Sequence, residues 1–257
     1  MAKLEIEQFI CGADNYGVLI HDAEANVTAT IDTPEAAPIR AKLAEKGWRL
    51  THILTTHHHG DHVAGHLPLK AETGCLIYGG VKDTGRIPGL DIAIKDGERF
   101  RFGSFQIEVF DTPGHTLGHI AYYMPETGVA FLGDTLFSLG CGRLLEGSAR
   151  DMWGSLQRIM TLPPETFLYC GHEYTLANAR FALTVEPENE ALQKRAAEVA
   201  HLRAAGAPAL PVRLDAERSA NPFLRPDSPF IQKRLSLTGR PLDEIFGKLR
   251  ELKDGFR

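Results

Sequence analysis

The sequence predicts an α/β fold with a helical C-terminal extension, and three observations lead there. Short strand-like runs fill the first two thirds of the chain, and most end in Gly, Pro, Asp or Asn. Helical periodicity appears between some of these runs. Beyond Tyr174 the composition shifts to Ala, Leu, Glu, Lys and Arg, with few β-branched residues. A chain of 257 residues can build a main domain plus a smaller appendage and bury its core without disulfide staples.

Taken in order, LEIEQFI, YGVLIHD and NVTATID read as strands, and APIRAKLAEKGW as a helix. THILTTH, CLIYGG, RFRFGSFQIEVFDT, HIAYYM and VAFLGDT continue the strands, MWGSLQRIMTLP returns to helical spacing, and TFLYCGH closes the series. The segment TLANARFALTVEPENEALQKRAAEVAHLRAAG reads as two helices divided at Pro187. A Pro-rich connection, APALPVRL, follows it. PLDEIFGKLRELKDGFR is a last amphipathic helix opened by Pro241 and Asp243. We find no internal repeat and no low-complexity segment. The expected domains are 1–172, a mixed sheet domain, and 173–257, a helical one.

The formal net charge is -5, with 43% hydrophobic and 24% charged residues. That balance argues against general attraction to nucleic acid or to anionic membranes. The opening MAKLEIEQFI lacks the continuous apolar run of a signal peptide. No apolar segment approaches the roughly 20 residues that span a bilayer. A cytoplasmic monomer with no nucleic-acid or membrane partner is therefore expected. Four widely spaced cysteines, Cys11, Cys75, Cys141 and Cys170, form no CxxC pair and read as reduced, mostly buried thiols.

Within TTHHHGDHVAGH, Thr55 to His66, five histidines and an aspartate share twelve residues. His57 and His59, two apart on a continuing strand, would point to one side. Gly60 would then permit a turn that lets Asp61 and His62 face a neighbouring point. Three later ligand-type residues sit at predicted strand ends: His115 after a Pro-Gly turn, Asp134 after VAFLG, and His172 after TFLYCG. Glycines 60, 114, 133 and 171 stand beside them, where the backbone would turn sharply. HxHxDH offers more donors than one tetrahedral site uses, so two metals are expected. Imidazole and carboxylate without thiolate suit Zn, Fe or Mn. Asp134, with two oxygens, is the natural bridge. His58, His66 and His119 read as packing or supporting residues, and His21, His52 and His201 as ordinary surface or hydrogen-bonded histidines.

These motifs resemble the metallo-β-lactamase superfamily: THHHGDH is similar to its HxHxDH signature, and TPGHTLGH, FLGDTLF and CGHEYT to its later ligand motifs in the same order. Within it the chain looks most like glyoxalase II, the hydroxyacylglutathione hydrolases, through CGRLLEG, NPFLR and LRELKDGF. The resemblance implies a four-layer αββα sandwich with a C-terminal helical domain that binds glutathione. It implies one metal on His57, His59 and His115, and a second on Asp61, His62 and His172. Asp134 and a hydroxide would bridge the two, with Asp61 and Asp134 tuning the metals and the nucleophile. It also implies glutathione contacts from Arg143, Tyr174, Arg250 and Lys253. Arg143 replaces a lysine familiar in eukaryotic members, and Leu145 stands where those members carry a tyrosine. Without the resemblance, Arg250 and Lys253 would pass for a solvated helix face, and Tyr174 for a packed ring.

The implied reaction is hydrolysis of an S-(2-hydroxyacyl)glutathione thioester by a binuclear metal-bound hydroxide. The implied substrate is S-D-lactoylglutathione, cleaved to glutathione and D-lactate in methylglyoxal detoxification, and zinc is the expected metal. A thiol leaving group of pKa about 8.5 departs without a strong general acid. The alternative is a glutathione-dependent persulfide dioxygenase with a mononuclear iron, which the complete second-site set and the helical tail disfavour. A flavodiiron reading would want an acidic residue where His59 stands. The charge balance speaks against a nuclease, and the glutathione-like tail against β-lactam hydrolysis.

Overall fold

A computed structural model describes residues 3–256, so the outermost residues of both expected domains, 1–2 and 257, lie outside the described residues. The chain packs as two compact units. One runs to Asp111 and resumes over Gly118–Gly133; the other holds Thr112–Leu117 and the described residues from Asp134 onward.

The first unit opens with β1 (Leu4–Ile10), β2 (Tyr16–Asp22) and β3 (Val27–Ile31), then α1 (Ala36–Lys46), β4 (His52–Leu54), the short α2 (Gly60–Val63) and α3 (His66–Thr73). β5 (Leu76–Gly80), a 3-10 turn over Val81–Asp83 and β6 (Ile92–Ile94) follow. These strands form one sheet in the order β1-β2-β3-β4-β5-β6. Its first three strands pair antiparallel, and β3 to β6 pair parallel. Parallel neighbours need a crossover, which α1 supplies between β3 and β4, and α2 with α3 between β4 and β5. Both crossovers bury apolar residues against the sheet: Ile39 and Leu43 of α1 and Leu69 of α3 meet Leu19, Ile53 and Ile77. Each such side chain contributes roughly 1.5–3 kcal/mol relative to exposure.

The same unit continues with β7 (Arg99–Phe102), β8 (Phe105–Asp111), β9 (Ile120–Met124) and β10 (Val129–Phe131), consecutive antiparallel neighbours. Tyr122 of β9, fully buried, donates its hydroxyl to the Thr55 carbonyl at 2.8 Å, and the Ile120 amide donates to the Thr56 carbonyl at 2.9 Å. The segment that carries the histidines is thereby held from β9 as well as from β4.

In the second unit β11 (Leu136–Phe137) and β12 (Gly140–Cys141) make a hairpin, followed by α4 (Ala149–Ile159) and β13 (Phe167–Tyr169). Helices α5 (Thr175–Val185) and α6 (Glu190–Ala204) come next, with Pro187 between them as the sequence predicts. The Pro-rich connection contains β14 (Val212–Arg213), a short strand paired with β13, where the sequence reading had only a linker. Helices α7 (Leu214–Ala220), α8 (Pro229–Arg234) and α9 (Leu242–Asp254) finish the chain. Ser148 and Asp151 close a reciprocal capping box on α4, a contact worth about 1 kcal/mol. Trp153 of α4 stacks on Phe246 of α9, and Phe246 meets Phe223 edge-on. No helix among the described residues is long and apolar enough to cross a membrane.

Candidate metal centre and adjoining cleft

The strand that leads into the histidine cluster ends at Leu54, so Thr55 to His59 form an irregular loop and not a continuing strand. Strand alternation therefore does not align His57 and His59. They converge through the loop, His57 Nε2 lying 3.1 Å from His59 Nδ1. Two nitrogens about 2.1 Å from one tetrahedral ion stand about 3.4 Å apart, so this spacing fits two ligands of one cation. Gly60, expected to make a sharp turn, instead begins α2 with open space around it and needs no left-handed backbone. The helical turn places Asp61 and His62 side by side, with Asp61 Oδ2 3.7 Å from His62 Nε2.

Asp32 organises this half of the site. It directly follows β3, the parallel neighbour of β4, so it arrives at the same sheet end as Thr56. One carboxylate oxygen accepts from the Thr56 amide at 2.7 Å. The other accepts from the Thr56 hydroxyl at 2.7 Å and from His62 Nδ1 at 2.8 Å. A carboxylate only accepts, so the His62 proton resides on Nδ1 and Nε2 presents a lone pair. Asp32, His57 and His62 are near enough to bind an ion together, yet Asp32 already spends both oxygens on protein donors. Those bonds fix the orientation of the His62 ring. The sequence reading missed Asp32, although it ends NVTATID just as Asp134 follows VAFLG. Asn15 was missed too, with no comparable signal; its amide donates to Asp61 Oδ2 at 3.2 Å.

In the second unit His115, Asp134 and His172 come together. Asp134 Oδ2 lies 3.5 Å from His115 Nε2 and 3.3 Å from His172 Nε2. His115 Nδ1 donates to the Arg143 carbonyl at 2.9 Å, which leaves Nε2, on the Asp134 side, presenting a lone pair. Gly114, at φ +148, has no room for a Cβ, which would sit 2.6 Å from Met152 of α4. The His172 ring is stacked by Tyr174 at 4.7 Å between centroids and 5° between planes. In both units the donor set is imidazole and carboxylate without thiolate, which suits a divalent cation.

A cleft of about 400 Å³ in the second unit is lined by His115 and Asp134 together with Arg143, Tyr174, Arg250 and Lys253. Arg250 is 4% exposed and sits on the buried face of α9 with Ile245, Phe246 and Leu249, so it is not part of a solvated face. Its guanidinium donates to the Cys141 carbonyl at 2.8 Å and to Asp254 at 2.9 Å, and it lies over the Phe223 ring. Lys253 donates to the Ala177 carbonyl at 3.2 Å. Burial, followed by the charges of Arg250 and Arg143, holds its ammonium below the ordinary lysine range. Arg143 is exposed, 3.8 Å from Asp254. Three cations against two carboxylates, Asp134 and Asp254, leave the cleft electropositive although the chain is acidic. Leu145 is 59% exposed.

One wall of the cleft is set by a carboxylate that the sequence reading also missed. Glu217 of α7, 1% exposed, accepts from the Ser138 hydroxyl, the Leu139 amide and the Asn221 side chain. Asn221 in turn donates to the Phe137 and Gly140 carbonyls. Together they fix the β11–β12 hairpin, whose Phe137 and Cys141 line the cleft. Asn221 begins NPFLR, so a signal for it was present. All four cysteines are free and buried, as expected. Burial pushes the Cys141 thiol up to about 11, which leaves it unsuited to act as a nucleophile.

Three histidines support the site without joining it. His119 stacks on His57 at 4.8 Å. His58 turns to Asp83 and Arg86. His66, fully buried, is bonded by the Thr33 and Thr55 hydroxyls, and burial followed by the charge of His62 lowers its pKa from 6.5 to about 3. Between those values the unfolded chain binds the extra proton, so stability is complete above pH 6.5 and falls as pH drops toward 3. By pH 5 this one residue costs about 2 kcal/mol. Urea unfolding of metal-free protein at pH 7.5 and pH 5 is expected to show His66→Gln losing about 2 kcal/mol less than the parent; equal losses would contradict this.

A family model described as the metallo-beta-lactamase superfamily matches residues 29–172, and one described as hydroxyacylglutathione hydrolase C-terminus matches residues 173–256. The chain is 51% identical over 256 residues to a hydroxyacylglutathione hydrolase of Rhizobium etli, covering all of both chains. It is similar in structure to the BLEG-1 B3 metallo-beta-lactamase, with a TM-score of 0.67 and 21% identity over 86% of this chain and 100% of that one, which shows the fold alone. It also resembles TTHA1623, solved in a di-iron-bound form, with a TM-score of 0.54 and 28% identity over 65% of this chain and 91% of that one.

Proposed function

Since the chain belongs to the hydroxyacylglutathione hydrolases of the metallo-β-lactamase superfamily, we propose that it hydrolyses S-(2-hydroxyacyl)glutathione thioesters. S-D-lactoylglutathione is the foremost substrate, giving glutathione and D-lactate and so removing methylglyoxal. In this reading residues 1–172 form the catalytic domain and 173–257 the glutathione-binding domain of a cytoplasmic monomer. His57, His59 and His115 hold one divalent cation, Asp61, His62 and His172 a second, and Asp134 serves both. Zinc is the proposed metal, with iron or manganese accepted by the same donors. The relative crystallised with two irons supports a pair.

When bound, two such cations supply hydroxide at neutral pH and a Lewis acid for a carbonyl oxygen. The protein's own residues do the rest. Asp32 and the Arg143 carbonyl fix which nitrogen of His62 and of His115 carries the proton, and so keep Nε2 of each ready as a donor. Arg143, Arg250 and Lys253 offer cations to the carboxylates of the glutathione tripeptide, holding its thioester in the cleft that Asp134 and His115 also line. The leaving thiol, of pKa about 8.5, departs without a strong protein acid. The observation that carries the reading is this one cleft, which joins ligand-type side chains to a cationic glutathione grip.

The test is to incubate metal-replete protein with S-D-lactoylglutathione and follow thiol release, with oxygen uptake recorded in parallel on glutathione persulfide. Thiol release without oxygen uptake is expected. Oxygen consumption with the persulfide and no thioester cleavage would favour the mononuclear iron dioxygenase instead.

A further inference from the structure

We infer that Asp83 is a positioning residue for the histidine loop, acting through His58. The inference rests on the proposed role of His57 and His59 as ligands, and it concerns what holds them in place.

Asp83 closes the 3-10 turn after β5 and is fully buried. Its Oδ2 lies 3.1 Å from His58 Nδ1, and its Oδ1 pairs with Arg86 at 3.6 Å. Arg86 also reaches His58 Nε2 through its other terminal nitrogen. A carboxylate accepts and a guanidinium donates, so Nδ1 carries the ring proton and Nε2 receives from Arg86. Both ring nitrogens of His58 are thus engaged by Asp83 and Arg86, while the edge of its ring packs against His59 at 4.9 Å between centroids. That explains how three consecutive histidines yield two converging rings: the middle one is tethered elsewhere. The peptide planes flanking His58 are shared with His57 and His59, so a fixed His58 restricts the backbone of both.

A second contact reinforces the first. A Cβ on Gly118 would stand 2.2 Å from Asp83 Oδ1, so the carboxylate rests against the Gly118 backbone. The next residue, His119, stacks on His57 at 4.8 Å and 23°. Asp83 therefore touches both segments that frame His57. A carboxylate is a costly way to fill a fully buried position, where an apolar side chain of similar volume would stabilise the fold at least as well. Its chemistry here is the fixing of a ring and not the filling of a core.

The experiment compares Asp83→Ala, His58→Ala, the double variant and Asp83→Asn. It measures zinc affinity by competition with a chromophoric chelator and the Tm of the metal-free protein. Each alanine variant is expected to weaken zinc binding by about 10–100-fold, the range for groups that orient metal ligands. The double variant is expected to be no worse than the poorer single, because the two residues act in one chain of contacts. Asp83→Asn keeps an acceptor for the Nδ1 proton and is expected to stay within about five-fold of the parent. A lowered Tm with unchanged zinc affinity in Asp83→Ala, or losses that add in the double variant, would overturn the inference. His57→Ala serves as the control: retention of full zinc affinity there would overturn the ligand reading, and the Asp83 inference with it.

Discussion

Replacing His172 with alanine is expected to remove at least one cation per chain and to lower kcat/KM by more than about 100-fold. The size follows from comparison: losing a group that only orients a metal ligand typically costs 10–100-fold, and losing a ligand should exceed that. His172 is 3% exposed, its Nε2 is 3.3 Å from Asp134, and Tyr174 stacks its ring. No neighbouring side chain of that stack can replace an imidazole nitrogen as donor. Elemental analysis and steady-state kinetics on one preparation decide the matter. A full metal complement in the variant would remove His172 from the ligand set, whatever happened to the rate.

Removing the charge at Arg250 should act on the other term of the rate law. Arg250→Gln is expected to raise KM by about 10–100-fold while kcat stays within about three-fold, since a charge-assisted hydrogen bond is worth about 1.5–3 kcal/mol. Charge reversal is the harsher version of the same test. Because Arg250 is buried on α9 between the Cys141 carbonyl and Phe223, reversal would also place an unpaired anion there and endanger the fold. Glutamine keeps donors for the Cys141 carbonyl, so it separates recognition from stability. Initial-rate kinetics with an unchanged KM would show that Arg250 is a structural cation and not a grip for the substrate.

Much of the fold could be read from local patterning. Most strands between residues 4 and 131 follow alternation and turn residues, and α5, α6 and α9 follow composition with Pro187 and Pro241 as punctuation. Short elements were the ones missed. β14 has two residues, β6 three, α2 four, α8 six, α7 seven and α3 eight, too few for a periodicity to stand out. The histidine loop illustrates the same limit. Its residue types announced a metal, but His57 and His59 converge through a loop held by Asp32, Asp83 and the Thr56 contacts. Asp32 and Asp83 lie about 25 residues away along the chain and Ile120 farther still, and no local spacing rule reaches them. Arg250 is the converse case. Helix position suggested solvent, whereas the packing of α9 on its Ile245, Phe246 and Leu249 face buries it.

The most direct measurement is a titration of metal-free protein with zinc while thiol release from S-D-lactoylglutathione is followed. Activity is expected to climb until two equivalents per chain have bound and then to level off. Full activity at one equivalent, or none at any loading, would contradict a hydrolase built on paired cations.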